Sequence, residues 1–171
     1  MKTKMITLCL ALVSWGTYAQ HDHHAMQGDT KKMDQNIAMF KDAKLGTAYE
    51  HYIHLKDALV ASKSDDAKNA ATELQKALKE VSGSNAALDA VAKLVSISDL
   101  SEQRQLFSTL SNEMTTLVKG GNLSSGSLYL EYCPMANDNA GAYWLSNEKE
   151  IKNPYFGNKM LKCGSVKETI Q

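Results

Sequence analysis

From Asn36 to Gly121 the chain contains no proline, and Ala, Leu and Lys are abundant there. Proline breaks helix interiors, so a proline-free run this long built from good helix formers points to helices. The apolar residues recur at helical spacing. A first helix is expected over about 36–62, with Ile37, Phe40, Lys44, Ala48, Tyr52, Leu55 and Leu59 on one side. Ser64, followed by Asp65 and Asp66, reads as the cap of a second helix. Its stripe is Ala67, Ala70, Ala71, Leu74, Leu78 and Val81, and Gly83 ends it. A third helix is expected over about 85–96, with Leu88, Val91, Leu94 and Val95. Asp99 and Glu102 fit a capping box for a fourth, whose core face is Leu106, Phe107, Leu110, Met114, Leu117 and Val118. Gly120 and Gly121 stop it. Four amphipathic helices on short connections predict a mainly α fold, an antiparallel helical bundle.

Composition shifts after Gly121. Residues 122–171 hold both prolines, Trp144, Tyr155 and Phe156, and the cysteines Cys133 and Cys163. "SLYLEYC" alternates with period two and reads as a strand. "NDNAGAYW" and "NPYFG" are rich in turn residues, and "NKMLKCG" fits one helical turn or a strand end. This part predicts a small irregular or β carboxy-terminal extension, packed on the bundle within one domain over 36–171.

The amino terminus reads differently. Lys2 and Lys4 precede an apolar run from Met5 to about Trp15, and Ala19 offers a cleavage point, the pattern of a secretory signal peptide over 1–19. That run is too short for a permanent membrane helix. Cys9 lies deep in it with no small residue before it, so it is not read as a lipid-attachment site. The mature chain is expected in the periplasm, free of the membrane. Losing Lys2 and Lys4 from 19 basic residues leaves 17 against 19 acidic ones, a net charge near −2. That balance gives no electrostatic case for nucleic acid or an anionic membrane as partner. Residues 20–35 lack apolar periodicity and read as a flexible His-rich tail.

Candidate chemistry centres on sulfur. Cys133 and Met135 flank Pro134 in "EYCPMAND", and Met160 and Cys163 answer them in "KMLKCGSV". Two thiolates and two thioethers are soft ligands suited to Cu(I), and Trp144 is a candidate shield for them. An even pair of cysteines in an oxidising compartment reads by default as a disulfide or as buried thiols, with Met135 and Met160 as core filler. Such a bridge is worth roughly 3–4 kcal/mol by loop entropy. His21, His23, His24 and Met26 form an accessory candidate for Cu(II) or Ni(II). His51 and His54, three apart on the first expected helix, are a further candidate pair, read chiefly as surface or boundary histidines. No phosphate loop, nucleophile elbow or His-Glu-x-x-His sequence occurs, and the chain is not expected to be an enzyme.

"YCPMANDNAGAYWLSNEKEIKNPYFGNKMLKCG" resembles the signature of domain-of-unknown-function family 3347. "YIHLKDALVASKSDDAKNAATELQKAL" looks like the family's amino-terminal half, and the resemblance covers roughly residues 45–168. That family comprises small exported proteins, mostly bacterial, and tails fused to periplasmic adaptor subunits of heavy-metal efflux pumps. The "YCPM" core is also similar to Cys-Pro-Met heavy-metal motifs of copper transport proteins. The resemblance implies copper, or another soft metal, held by Cys133, Met135, Met160 and Cys163. Asn153, Pro154, Tyr155 and Gly157 match as turn-forming scaffold. The expectation is therefore a periplasmic protein that buffers Cu(I) or hands it to an efflux system, with an efflux adaptor as partner. The alternative is a structural or interaction domain stapled by a Cys133–Cys163 disulfide, without metal.

Overall fold

The first helix starts later than apolar spacing suggests, because Phe40 is used elsewhere. In the computed structural model, which describes residues 38–121 and 123–171, strand β1 (Met39–Phe40) precedes helix α1 (Ala43–Val60). β1 pairs antiparallel with β2 (Leu123–Ser125), Met39 opposite Ser125. The Phe40 ring packs on Tyr49 at 5.2 Å between centroids. Asp42 then caps α1 by accepting from the Lys44 backbone N–H at 2.9 Å. The expected residues 36 and 37 lie outside those described.

α1 ends where Ser62 takes a left-handed backbone (φ 58°), and the Lys63 N–H returns to the Ala58 carbonyl at 2.9 Å. Helix α2 (Ser64–Leu78) begins with Ser64 inside its first turn. The expected Ser64 cap is therefore corrected: Lys63 occupies the cap position and makes no side-chain capping bond. Asp65 and Asp66 still sit in the positive first turn. Gly83 falls in the following loop rather than at the helix end. There the Ser84 hydroxyl donates to the Leu78 carbonyl at the end of α2 and to the Val81 carbonyl of the loop. Helix α3 (Asn85–Val95) matches its expected span to one residue. Asp99 caps α4 (Leu100–Gly120), its carboxylate accepting from the Glu102 N–H at 2.9 Å.

Each helix packs on the next, and α4 also touches α1. The fold is mainly α with two small antiparallel sheets. The second sheet has the order β4-β3-β5, from β3 (Leu128–Cys133), β4 (Ala142–Ser146) and β5 (Ser165–Ile170). Between β3 and β4 lies the short helical turn α5 (Ala136–Asn139). Of these strands the sequence pattern anticipates only β3. "NDNAGAYW", read as turn-rich, contains most of β4, and "NKMLKCG", read as one helical turn or a strand end, is the approach to β5.

Tyr52 fastens the sheet to the helices. Its hydroxyl pairs with Ser111 Oγ at 2.8 Å and accepts the Leu145 backbone N–H at 3.0 Å. An edge strand leaves such N–H groups unpaired, and a buried one needs a partner. The Tyr52 ring stacks on Phe107 (5.4 Å), Phe107 meets Tyr155 (5.8 Å), and Tyr155 meets Trp144 edge-on (5.9 Å). A file of aromatic rings thus runs from helix α1 to strand β4, each pair adding about 0.5–1.5 kcal/mol beyond area burial. Among the described residues no helix is long and apolar enough to cross a membrane.

Candidate functional site

Strand register brings the two cysteines together. Cys133 ends β3 opposite Ala142, and Tyr132 pairs with Ser165 at the start of β5. Cys163, two residues before β5, therefore arrives beside Cys133, and the sulfurs approach to 2.6 Å. Cys133 is fully buried and Cys163 half-buried. Gly164 makes this approach possible: a Cβ there would stand 2.9 Å from the Trp144 ring and 3.0 Å from the Tyr132 carbonyl. The Cys163 thiol is pushed up to about 11, first by its hydrogen bond with Cys133 and then by burial. Such a thiol is a poor nucleophile at neutral pH.

Asn153 organises the segment that carries Cys163. It is fully buried, and its amide donates to the Cys163 carbonyl at 2.8 Å. Its carbonyl side-chain oxygen accepts the Tyr155 N–H, and its backbone bonds Leu161 and Gly157. Gly157 has φ 57°, and a Cβ there would press on Ser62 Oγ at 2.7 Å and the Val60 carbonyl at 2.8 Å. Arg104, next to it, donates from Nε to the Pro154 carbonyl and from Nη2 to the Leu59 carbonyl and Ser62 Oγ, at 2.8–2.9 Å. This clasp holds the 153–163 loop against the ends of α1 and α4.

The methionines part company with the cysteines. Met135, 46 % exposed, and the half-buried Met160 both line a cleft of about 630 Å³, with Leu100, Arg104, Phe156 and Lys159 among its walls. Neither cysteine lines that cleft. Trp144 is fully buried behind the cysteines and close to Gly164. His51 and His54 have ring centroids 6.1 Å apart on α1, with His54 exposed. Among the described residues no group of three or more His, Cys, Asp or Glu side chains is placed to hold a metal ion. His21, His23, His24, Met26 and the expected signal peptide lie outside the described residues.

One functional group escaped the sequence reading. Glu131 lies on β3 two residues before Cys133, opposite Trp144, and is fully buried. Neither carboxylate oxygen has a hydrogen-bond partner, and the Trp144 indole N–H and the Tyr49 hydroxyl are also unpaired. Burial pushes the Glu131 carboxyl up to about 7, against the opposing pull of the Lys56 ammonium. A charged residue inside the apolar alternation of "SLYLEYC" was the available signal.

Comparison with known proteins follows this geometry. The model of a family described as protein of unknown function (DUF3347) matches residues 48–126. Over this segment, just under half of its length, the chain is similar to the DUF3347 family. The matched DUF3347 segment runs from within α1 to just past β2, so Cys133, Met135, Met160 and Cys163 lie beyond it. No curated protein matches the chain, and neither does any solved structure.

Proposed function

We propose that this protein is a non-catalytic exported interaction domain whose carboxy-terminal sheet is stapled by a Cys133–Cys163 disulfide. Its four helices form an antiparallel bundle that offers the binding surface, an efflux adaptor being the partner expected from the family's company. The observation that carries this reading is the 2.6 Å approach of the two sulfurs. A tetrahedral metal ion held by both thiolates at about 2.3 Å would spread them to about 3.8 Å. Sulfurs that are nearer than this are placed to bond each other. The bridge would close a loop between positions 30 apart, worth roughly 3–4 kcal/mol. Short interhelical connections and the contact of α4 with α1 support the bundle.

A second reading has its own observation. Met135 and Met160 share one cleft, and two soft thioethers near a reducible cysteine pair suit Cu(I). On this reading the protein is a periplasmic copper buffer that loads only when the pair is reduced and the sulfurs separate. An anaerobic Cu(I) competition titration on reduced protein lacking residues 1–29 decides between them. The staple reading expects no tight copper site once the His-rich tail is gone. Binding of one Cu(I), lost in a Cys133→Ser, Cys163→Ser double variant, would replace it with the copper reading.

A further inference from the structure

The cleft lined by Met135 and Met160 also has a cationic chemistry that neither sulfur reading uses. It is walled by the start of α4, the α5 turn and the 155–160 segment, and its 630 Å³ lies within the range of small-molecule sites. Arg104 stands in it half-buried. Its Nε and Nη2 are spent on carbonyls and a hydroxyl, and among the described residues no bond takes Nη1 and no carboxylate pairs with the guanidinium. A partly desolvated cation answered only by dipoles still favours an anion. Three bonds hold it in place, so little side-chain entropy is lost when an anion binds.

The other walls sharpen the class of ligand. Lys159 adds a second cation with no ion-pair partner among the described residues. Asp138 is the one carboxylate in the lining, and it is exposed. Leu100, Met135, Phe156 and Met160 supply apolar and aromatic surface, the thioethers adapting to an irregular outline. Asn137, Asp138 and Asn139 also line the cleft, in three successive left-handed conformations (φ 51°, 55° and 69°). Asn and Asp tolerate this region better than other non-glycine residues, and three in succession form a sharply turned wall to the cleft. The Asn137 amide, donating to Ser108 Oγ at 2.8 Å, anchors the turn to α4.

From this arrangement we infer that the cleft is a binding site for a small organic anion with an aromatic or branched apolar body. Its carboxylate or sulfonate meets Arg104 Nη1 and Lys159, and its body lies against Met135, Phe156 and Met160. The inference goes beyond the staple reading and stands whatever the state of the cysteines.

The test is an NMR titration of the full chain with naphthalene-2-carboxylate, and in parallel with naphthalene-2-carboxamide. The expected result is saturable shifting of amides in 100–105, 135–139 and 155–160, with the carboxamide about fivefold weaker or more. Lys159→Glu should weaken the carboxylate about tenfold, and Asp138→Asn should tighten it. Both positions are exposed, so neither change threatens folding. Absence of saturable shifts at millimolar probe, equal affinity for the neutral amide, or shifts mapping elsewhere would overturn the inference. Free thiols in the same sample would count against the staple alone.

Discussion

Replacing Glu131 by Gln removes a charge from a place water does not reach, and the structure gives the size and sign of the effect. The Glu131 carboxyl is held at about 7 against an ordinary 4.5, chiefly by burial. Below about pH 4.5 it is neutral in both the folded and the unfolded chain. Between 4.5 and 7 the unfolded chain ionises while the folded one keeps its proton. Folding stability contributed by this group is therefore complete at acid pH, falls as pH rises through that window, and levels off above about 7. At 1.36 kcal/mol per pH unit the total loss is about 3 kcal/mol. Lys56, which pairs with Asp57 at 2.9 Å, pulls the other way without closing a bond to Glu131. Urea denaturation of parent and Glu131→Gln at pH 4.5, 5.5, 6.5 and 8 measures this directly. The expected outcome is near parity at pH 4.5 and a variant more stable by up to about 3 kcal/mol at pH 8. A difference that does not change with pH, or a Gln variant weakened most at pH 8, would show an ionised Glu131 well paired with Lys56, and would refute the reasoning.

Three further outcomes follow from the packing. Tyr52→Phe strips the partner from Ser111 and from the Leu145 N–H, and should cost about 1–3 kcal/mol in urea, with faster hydrogen exchange at the Leu145 amide. Gly157→Ala places a Cβ against Ser62 and Val60 at a positive φ, and should lower stability by about 2 kcal/mol or more in the same assay. Asp99→Ala removes the α4 cap and should cost about 1 kcal/mol, without affecting the cysteine pair.

The helices were legible because apolar spacing over a proline-free run is a local signal. Asp99 was legible as a cap for the same reason. Phe40 was not: it continues the helical stripe of α1, and only its pairing with the distant Leu123 turns it into β1. β4 is hidden behind a left-handed turn and a glycine, and β5 reads as an exposed charged segment whose one buried residue is Ile170. Cys133 and Cys163 were legible as a pair in composition, but their proximity depends on the β3–β5 register, a long-range property. Met135 and Met160 look symmetric with them along the chain. Pro134 and the turn at 160–163 carry these two thioethers into the cleft instead, while the cysteines meet at the sheet. Arg104 gave no signal, since its three partners are brought to it by the fold.

The central claim concerns the proposed bond between Cys133 and Cys163, and its most direct test is mass spectrometry of the native protein, isolated without reductant and alkylated under denaturing conditions. The account predicts that neither Cys133 nor Cys163 is alkylated and that a single disulfide-linked peptide pair joins the end of β3 to the segment before β5. Two alkylated thiols in protein taken directly from its compartment would contradict it.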